Sequence, residues 1–118
     1  VGIVLPELSG KLAGSAVRVP TANVSMIDLS IIPENNTTIT QINAAMKAAS
    51  EGPMKGVLRY TEEALVSSDL NHDPHSAIFA APLTDVLYGD LAKVVAWYDN
   101  EWGFSNRMID VARAMMEA

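Results

Sequence analysis

An α+β fold, a mostly antiparallel sheet with helices packed on one side, is what this sequence predicts. Three observations carry that expectation. Short Val- and Ile-rich runs with period-two alternation recur between turn residues, as half-buried strands do. One central segment opens with Thr38 and Gln41 at capping-box spacing and repeats its apolar residues at helical period. The end of the chain returns to that period and carries a methionine stripe.

In chain order, residues 1–8 read as the frayed end of an apolar helix, stopped by Pro6 and the Ser9-Gly10 turn. Residues 13–20 and 23–32 read as strands. In the first, Val17 and Val19 share a face and Arg18 takes the other; in the second, Ile27, Leu29 and Ile31 share a face. Pro33-Glu34-Asn35-Asn36 is turn chemistry. The helix opened by Thr38 places Ile39, Ile42, Met46 and Ala49 on one side and ends at Gly52-Pro53. Residues 57–60, 65–68, 76–80, 83–88 and 91–98 are strand candidates, with Tyr88-Gly89-Asp90 a tight connection between the last two. A C-terminal helix is expected at about 102–117, with Met108, Ala112, Met115 and Met116 along one stripe. Internal repeats, low-complexity segments and interior linkers are absent, so the 118 residues read as one domain or part of one.

Composition narrows the function. The chain is 49% apolar, too rich for intrinsic disorder. Eight Lys and Arg against fourteen Asp and Glu leave a net charge of −6, without the basic cluster that nucleic-acid binding needs. No apolar run approaches the roughly 18–20 residues that cross a bilayer, and no signal peptide is visible. The expectation is a soluble, cytoplasmic protein with neither nucleic acid nor membrane as partner. There is no cysteine, hence no thiol nucleophile, disulfide or thiolate metal site within these residues. A G-x-G-x-x-G fingerprint for a dinucleotide pyrophosphate is also missing.

Some residues nevertheless suggest chemistry. Arg18 is a lone arginine between valines, read on its own as a rim residue; its rigid fork of donors also suits a phosphate. Asn100, between a strand and a helix, is by position a turn former or cap, but its carboxamide both donates and accepts. Asn71-His72-Asp73-Pro74-His75 invites a metal or acid–base reading. Pro74 breaks the helix that would align the ligands and no third or fourth ligand is obvious, so an exposed polar turn is preferred. Glu62-Glu63 reads as solvated surface, and Met108, Met115 and Met116 as core packing by flexible thioethers.

The blocks Trp97-Tyr98-Asp99-Asn100-Glu101-Trp102-Gly103-Phe104-Ser105-Asn106-Arg107, Ala16-Val17-Arg18-Val19-Pro20-Thr21-Ala22-Asn23-Val24-Ser25, Ala49-Ser50-Glu51-Gly52-Pro53-Met54-Lys55-Gly56-Val57-Leu58 and Val66-Ser67-Ser68-Asp69 carry a stronger signal. In this composition and order the chain resembles, over essentially its whole length, the phosphorylating glyceraldehyde-3-phosphate dehydrogenase family. The resemblance implies the C-terminal portion of that family's catalytic domain at 1–118, with the cofactor-binding domain and the catalytic cysteine segment lying upstream. It implies that no catalytic residue lies in this chain, and that neither His72 nor His75 is the family's catalytic histidine. By the same resemblance Arg18 binds the phosphate of the substrate or inorganic phosphate, and Asn100 orients the nicotinamide of NAD.

The intact enzyme would then convert glyceraldehyde 3-phosphate, inorganic phosphate and NAD to 1,3-bisphosphoglycerate and NADH, as a homotetramer. An upstream thiolate would form the thiohemiacetal, hydride would pass to the nicotinamide, and phosphate would release the acyl group. The present residues alone would be inactive. Phe104 departs from the commonest family pattern, where tyrosine follows the glycine; it keeps the ring and loses a hydroxyl. Part of the methionine stripe would face the family's cofactor-binding domain. Erythrose-4-phosphate dehydrogenase is the nearest alternative, on Asn71 to Ile78 and the Phe104 version of the last block. A noncatalytic binding or assembly module of the same fold is the alternative from another class; retention of Arg18 and Asn100 weighs against it.

Overall fold

The computed structural model describes residues 1–117; Ala118, the last residue of the expected span, lies outside the described residues. In chain order the regular elements are β1 (Ser25–Ile31), α1 (Ile39–Glu51), β2 (Leu58–Thr61), β3 (Ala77–Ala80), β4 (Asp85–Leu87), β5 (Leu91–Tyr98) and α2 (Asn100–Glu117). The strands form one five-stranded sheet in the order β1-β5-β3-β2. Along β5, β1 pairs with Ala92 to Tyr98 on one edge, while β4 and β3 share the other end to end. All these pairings are antiparallel; β2 and β3 alone run parallel. The architecture is the expected α+β layer with a mostly antiparallel sheet.

Two adjacent residues of β3 organise the core, because successive side chains of a strand point to opposite faces. Phe79 joins Leu58 and Ala81 on the face that α1 covers with Ile42, Met46 and Ala49. Ile78 joins Val24 and Leu70 on the other face, with Leu65 and Trp97 against them. Of the α1 stripe read from the sequence, Ile42, Met46 and Ala49 therefore pack, while Ile39 stays exposed. Its start is also as read: the Thr38 hydroxyl accepts from the Gln41 amide at 3.2 Å, and Gln41 Oε1 accepts from the Thr38 amide at 3.0 Å. The β4–β5 connection is a tight turn in which Tyr88 and Gly89 have φ of 54° and 84°. Positive φ at both central positions is the twist that hairpin turns require.

Four local expectations fail. Residues 13–20 are not a strand: Val17 is 81% exposed and Val19 61%, so their alternation has no face to bury against. Two valines bring little apolar area, and Pro20 has no N–H to give a ladder. Residues 65–68 do not extend either. Asp69 Oδ2 accepts from the Val66 amide at 2.9 Å and the Asp69 amide donates to the Val66 carbonyl, closing a short 3-10 turn over Ser67–Leu70. A local side-chain bond there outcompetes a ladder. Near the start, Val4 and Leu5 amides both donate to the Val1 carbonyl and a 3-10 turn follows at Pro6–Leu8, in place of an α-helical end. The Met108, Met115 and Met116 stripe, expected to pack a core in all but the part facing the cofactor-binding domain, is exposed throughout, with Met116 at 87%, and joins neither core cluster of the described residues.

Candidate active-site residues

The site is built around the join between β5 and α2. The apolar run of β5 ends at Tyr98, and Asp99 follows as the cap of the helix. Its Oδ1 accepts from the Trp102 amide at 3.0 Å while its carbonyl takes the Gly103 amide at 2.9 Å. That is N-cap geometry, and it starts the helix two residues before the expected 102. Gly103 is the only buried residue of α2. A Cβ there would stand 2.9 Å from the His75 carbonyl oxygen, so the absent side chain is what lets α2 approach residues 75–76. Further along, Arg107 Nη1 donates to the Gly56 carbonyl at 2.9 Å and so ties the helix to the loop before β2.

Asp99 does more than cap. Its side chain is buried, with the residue 1% exposed. The second carboxylate oxygen accepts from Asn23 Nδ2 and from the His72 amide, both at 2.9 Å. Burial alone would raise its pKa, but bonds from the Trp102 and His72 amides and the Asn23 carboxamide prevail and hold it below the ordinary carboxylate value. Asn23 also donates to Asn71 Oδ1 at 2.7 Å, so it bridges two segments. Val24, directly after it, has φ 70°, a left-handed conformation rare for a β-branched residue, and there the chain bends into β1. The His72 ring stacks on Trp102 with centroids 4.3 Å apart.

The residues singled out from sequence stand as follows. Asn100 is the first residue of α2 and is exposed. Because Asp99 fills the cap, the helix start does not draw on the Asn100 carboxamide. Arg18 is exposed on an irregular segment five residues before Asn23. It shares no hydrogen bond with Asn100 among the described residues. Phe104 is exposed on α2. Residues 71–75 are more than an exposed turn, since the Asp73 carboxylate is largely buried. It takes Arg59 Nη1 on one oxygen and the amide and Nδ1 of His75 on the other. Burial would raise the Asp73 pKa, but those bonds lower it. Glu62 and Glu63 are exposed, as read.

Sequence reasoning missed Asp99 and Asn23, and took Asp73 only as part of an exposed polar turn. A signal for Asp99 was present: an aspartate directly after a strand, three residues before an amide that needs an acceptor. Among the described residues, no helix is long and apolar enough to cross a membrane.

The family model described as the C-terminal domain of glyceraldehyde 3-phosphate dehydrogenase matches residues 1–100. A glyceraldehyde-3-phosphate dehydrogenase of Cereibacter sphaeroides is 56% identical over 115 residues, covering 98% of this chain and 34% of that protein. The chromosomal glyceraldehyde-3-phosphate dehydrogenase of Cupriavidus necator is 57% identical over 118 residues, 100% of this chain and 35% of that protein. The corresponding protein of Zymomonas mobilis is 55% identical over 116 residues, 98% and 34% of the two chains. The chain thus spans about a third of the length of the curated relatives it matches. It belongs to the glyceraldehyde 3-phosphate dehydrogenase family, within that family's C-terminal domain.

Proposed function

We propose that this chain is the C-terminal portion of the catalytic domain of an NAD-dependent, phosphorylating glyceraldehyde-3-phosphate dehydrogenase. The observation that carries the reading is the family match over residues 1–100, which spans both Arg18 and Asn100. In it, Arg18 holds the phosphate of the aldehyde substrate or inorganic phosphate through its guanidinium fork. Asn100 binds the carboxamide of the nicotinamide and so selects which ring face meets the substrate. The bound dinucleotide supplies the hydride acceptor. Local geometry supports both roles: Arg18 is an exposed cation on an irregular segment, and Asn100 is exposed and relieved of capping.

On this reading the nucleophile and most of the dinucleotide site belong to other parts of the protein, and these residues alone are inactive. The protein works in the cytoplasm as a homotetramer. The apolar residues that β1 leaves exposed, Met26, Ile27, Leu29 and Ile31, are then surfaces for neighbouring subunits. The exposed α2 residues Met108, Met115 and Met116 face the cofactor-binding domain. Glyceraldehyde 3-phosphate is preferred over erythrose 4-phosphate because the relatives at 55–57% identity carry the former enzyme's name.

Steady-state rates of NADH formation by the full-length protein test the proposal. Glyceraldehyde 3-phosphate should give the higher kcat/KM, with turnover dependent on inorganic phosphate. The reverse ranking would assign erythrose-4-phosphate dehydrogenase, and no turnover of either sugar phosphate would leave a noncatalytic module.

A further inference from the structure

Asp99 is the most buried charged residue of the described chain, yet an ordinary helix cap sits at the surface and needs one acceptor atom. Here three donors from three segments converge on one carboxylate: the Trp102 amide of α2, the His72 amide of the 71–75 loop, and Asn23 Nδ2 of the segment that follows Arg18. Only an acceptor-only group satisfies all three. An asparagine would turn its own NH2 toward at least one N–H. Asn100 is covalently adjacent, and the His72–Trp102 stack and the close Gly103 approach fix the other side of the same turn. The direction of the Asn100 side chain therefore depends on how Asp99 holds the first turn of α2.

We propose that Asp99 is a positioning residue for hydride transfer, acting through Asn100 by tying the start of α2 to Asn23 and His72. The inference rests on the nicotinamide role given to Asn100 above. Asp99 stays ionised across the neutral range because its pKa is lowered, so the knot keeps its acceptor character where the enzyme works.

The test is a double-mutant cycle in the full-length enzyme, reading NAD dissociation constant, single-turnover hydride transfer and phosphate KM. Asn100→Ala should impair the first two. Asp99→Asn should impair the same two by up to about 100-fold, as a misplacement of about 1 Å does, with phosphate KM unchanged. The double variant should be no worse than Asn100→Ala alone, since Asp99 acts only through that side chain. Asn23→Ala keeps the cap and removes one donor, so it should give a smaller loss of the same pattern even if Asp99→Asn folds poorly. Additive losses in the double variant would overturn the proposal, as would a lowered Tm with parental NAD binding and hydride transfer. A silent Asn100→Ala would instead remove the reading on which the proposal stands.

Discussion

Gly103→Ala isolates the packing that sets the first turn of α2. In an exposed helix the change would stabilise by about 1 kcal/mol, since Gly is the worse helix former. Here the new Cβ meets the His75 carbonyl oxygen at 2.9 Å, and His75 C and Ser76 Cα stand behind it at 3.6 and 3.8 Å. Those are backbone atoms, so no side chain can swing away. Overpacking of this kind costs about 1–3 kcal/mol, and taking about 2 against the gain of about 1 leaves a net loss of about 1 kcal/mol. The strain falls where Asp99 gathers the Trp102 and His72 amides, so the loss should appear as easier local opening. Hydrogen exchange of the Trp102 and Gly103 amides in the full-length protein should speed up about fivefold, because 1.4 kcal/mol is about a factor of ten. Exchange slowed by a similar factor would mean that helix propensity prevails and that the close approach to His75 constrains nothing.

Thr38→Ala removes the hydroxyl half of the capping box and should cost about 1 kcal/mol, read as faster exchange through the first turn of α1. Acid should loosen the β5–α2 join selectively. The folded pKa values of Asp73 and Asp99 are lowered, so their stabilisation is complete above the unfolded carboxylate value of 3.8 and is lost as pH falls below it toward the folded values. Trp102 fluorescence followed below about pH 4 should report that loss, and a signal unchanged through full acid unfolding would contradict it. Arg59→Met strips the 2.7 Å partner from the largely buried Asp73 carboxylate and should destabilise by about 1–3 kcal/mol. A neutral effect on thermal unfolding would show that His75 alone suffices.

Much of this fold was legible because its signals are local. The Thr38–Gln41 box, the Ile42, Met46 and Ala49 stripe, the Gly52 stop and the Ala- and Val-rich β5 each arise within one turn or one strand, and the structure keeps them. The failures come from partners the sequence does not contain in order. Val17 and Val19 alternate like a strand, but no sheet edge receives them. Val66 to Asp69 has strand composition at its start, but the Asp69 carboxylate captures the Val66 amide and curls the chain. For the proposed site, Arg18 and Asn100 stand out as residue types within ordered blocks. Asp99 was legible only as a cap; its role as a shared acceptor was not, because that depends on Asn23 and His72, 76 and 27 residues away in sequence. A buried acceptor shared by three segments is a property of the assembled chain.

The central claim is that Arg18 reads phosphate and Asn100 reads nicotinamide, and one paired measurement addresses it. Each single variant of the full-length enzyme is titrated with glyceraldehyde 3-phosphate and inorganic phosphate, and separately with NAD. Arg18→Ala loses at least one charge-assisted hydrogen bond of about 1.5–3 kcal/mol, which corresponds to a fall of about 10- to 150-fold in kcat/KM. That fall should appear with the phosphorylated aldehyde or with inorganic phosphate, and NAD affinity should stay near the parent value. Arg18→Lys should fall between, since it restores charge without the fork. Asn100→Ala should show the complementary defect, in cofactor binding and hydride transfer. Parental kinetics for both phosphates in Arg18→Ala would contradict the account and return Arg18 to an ordinary surface arginine.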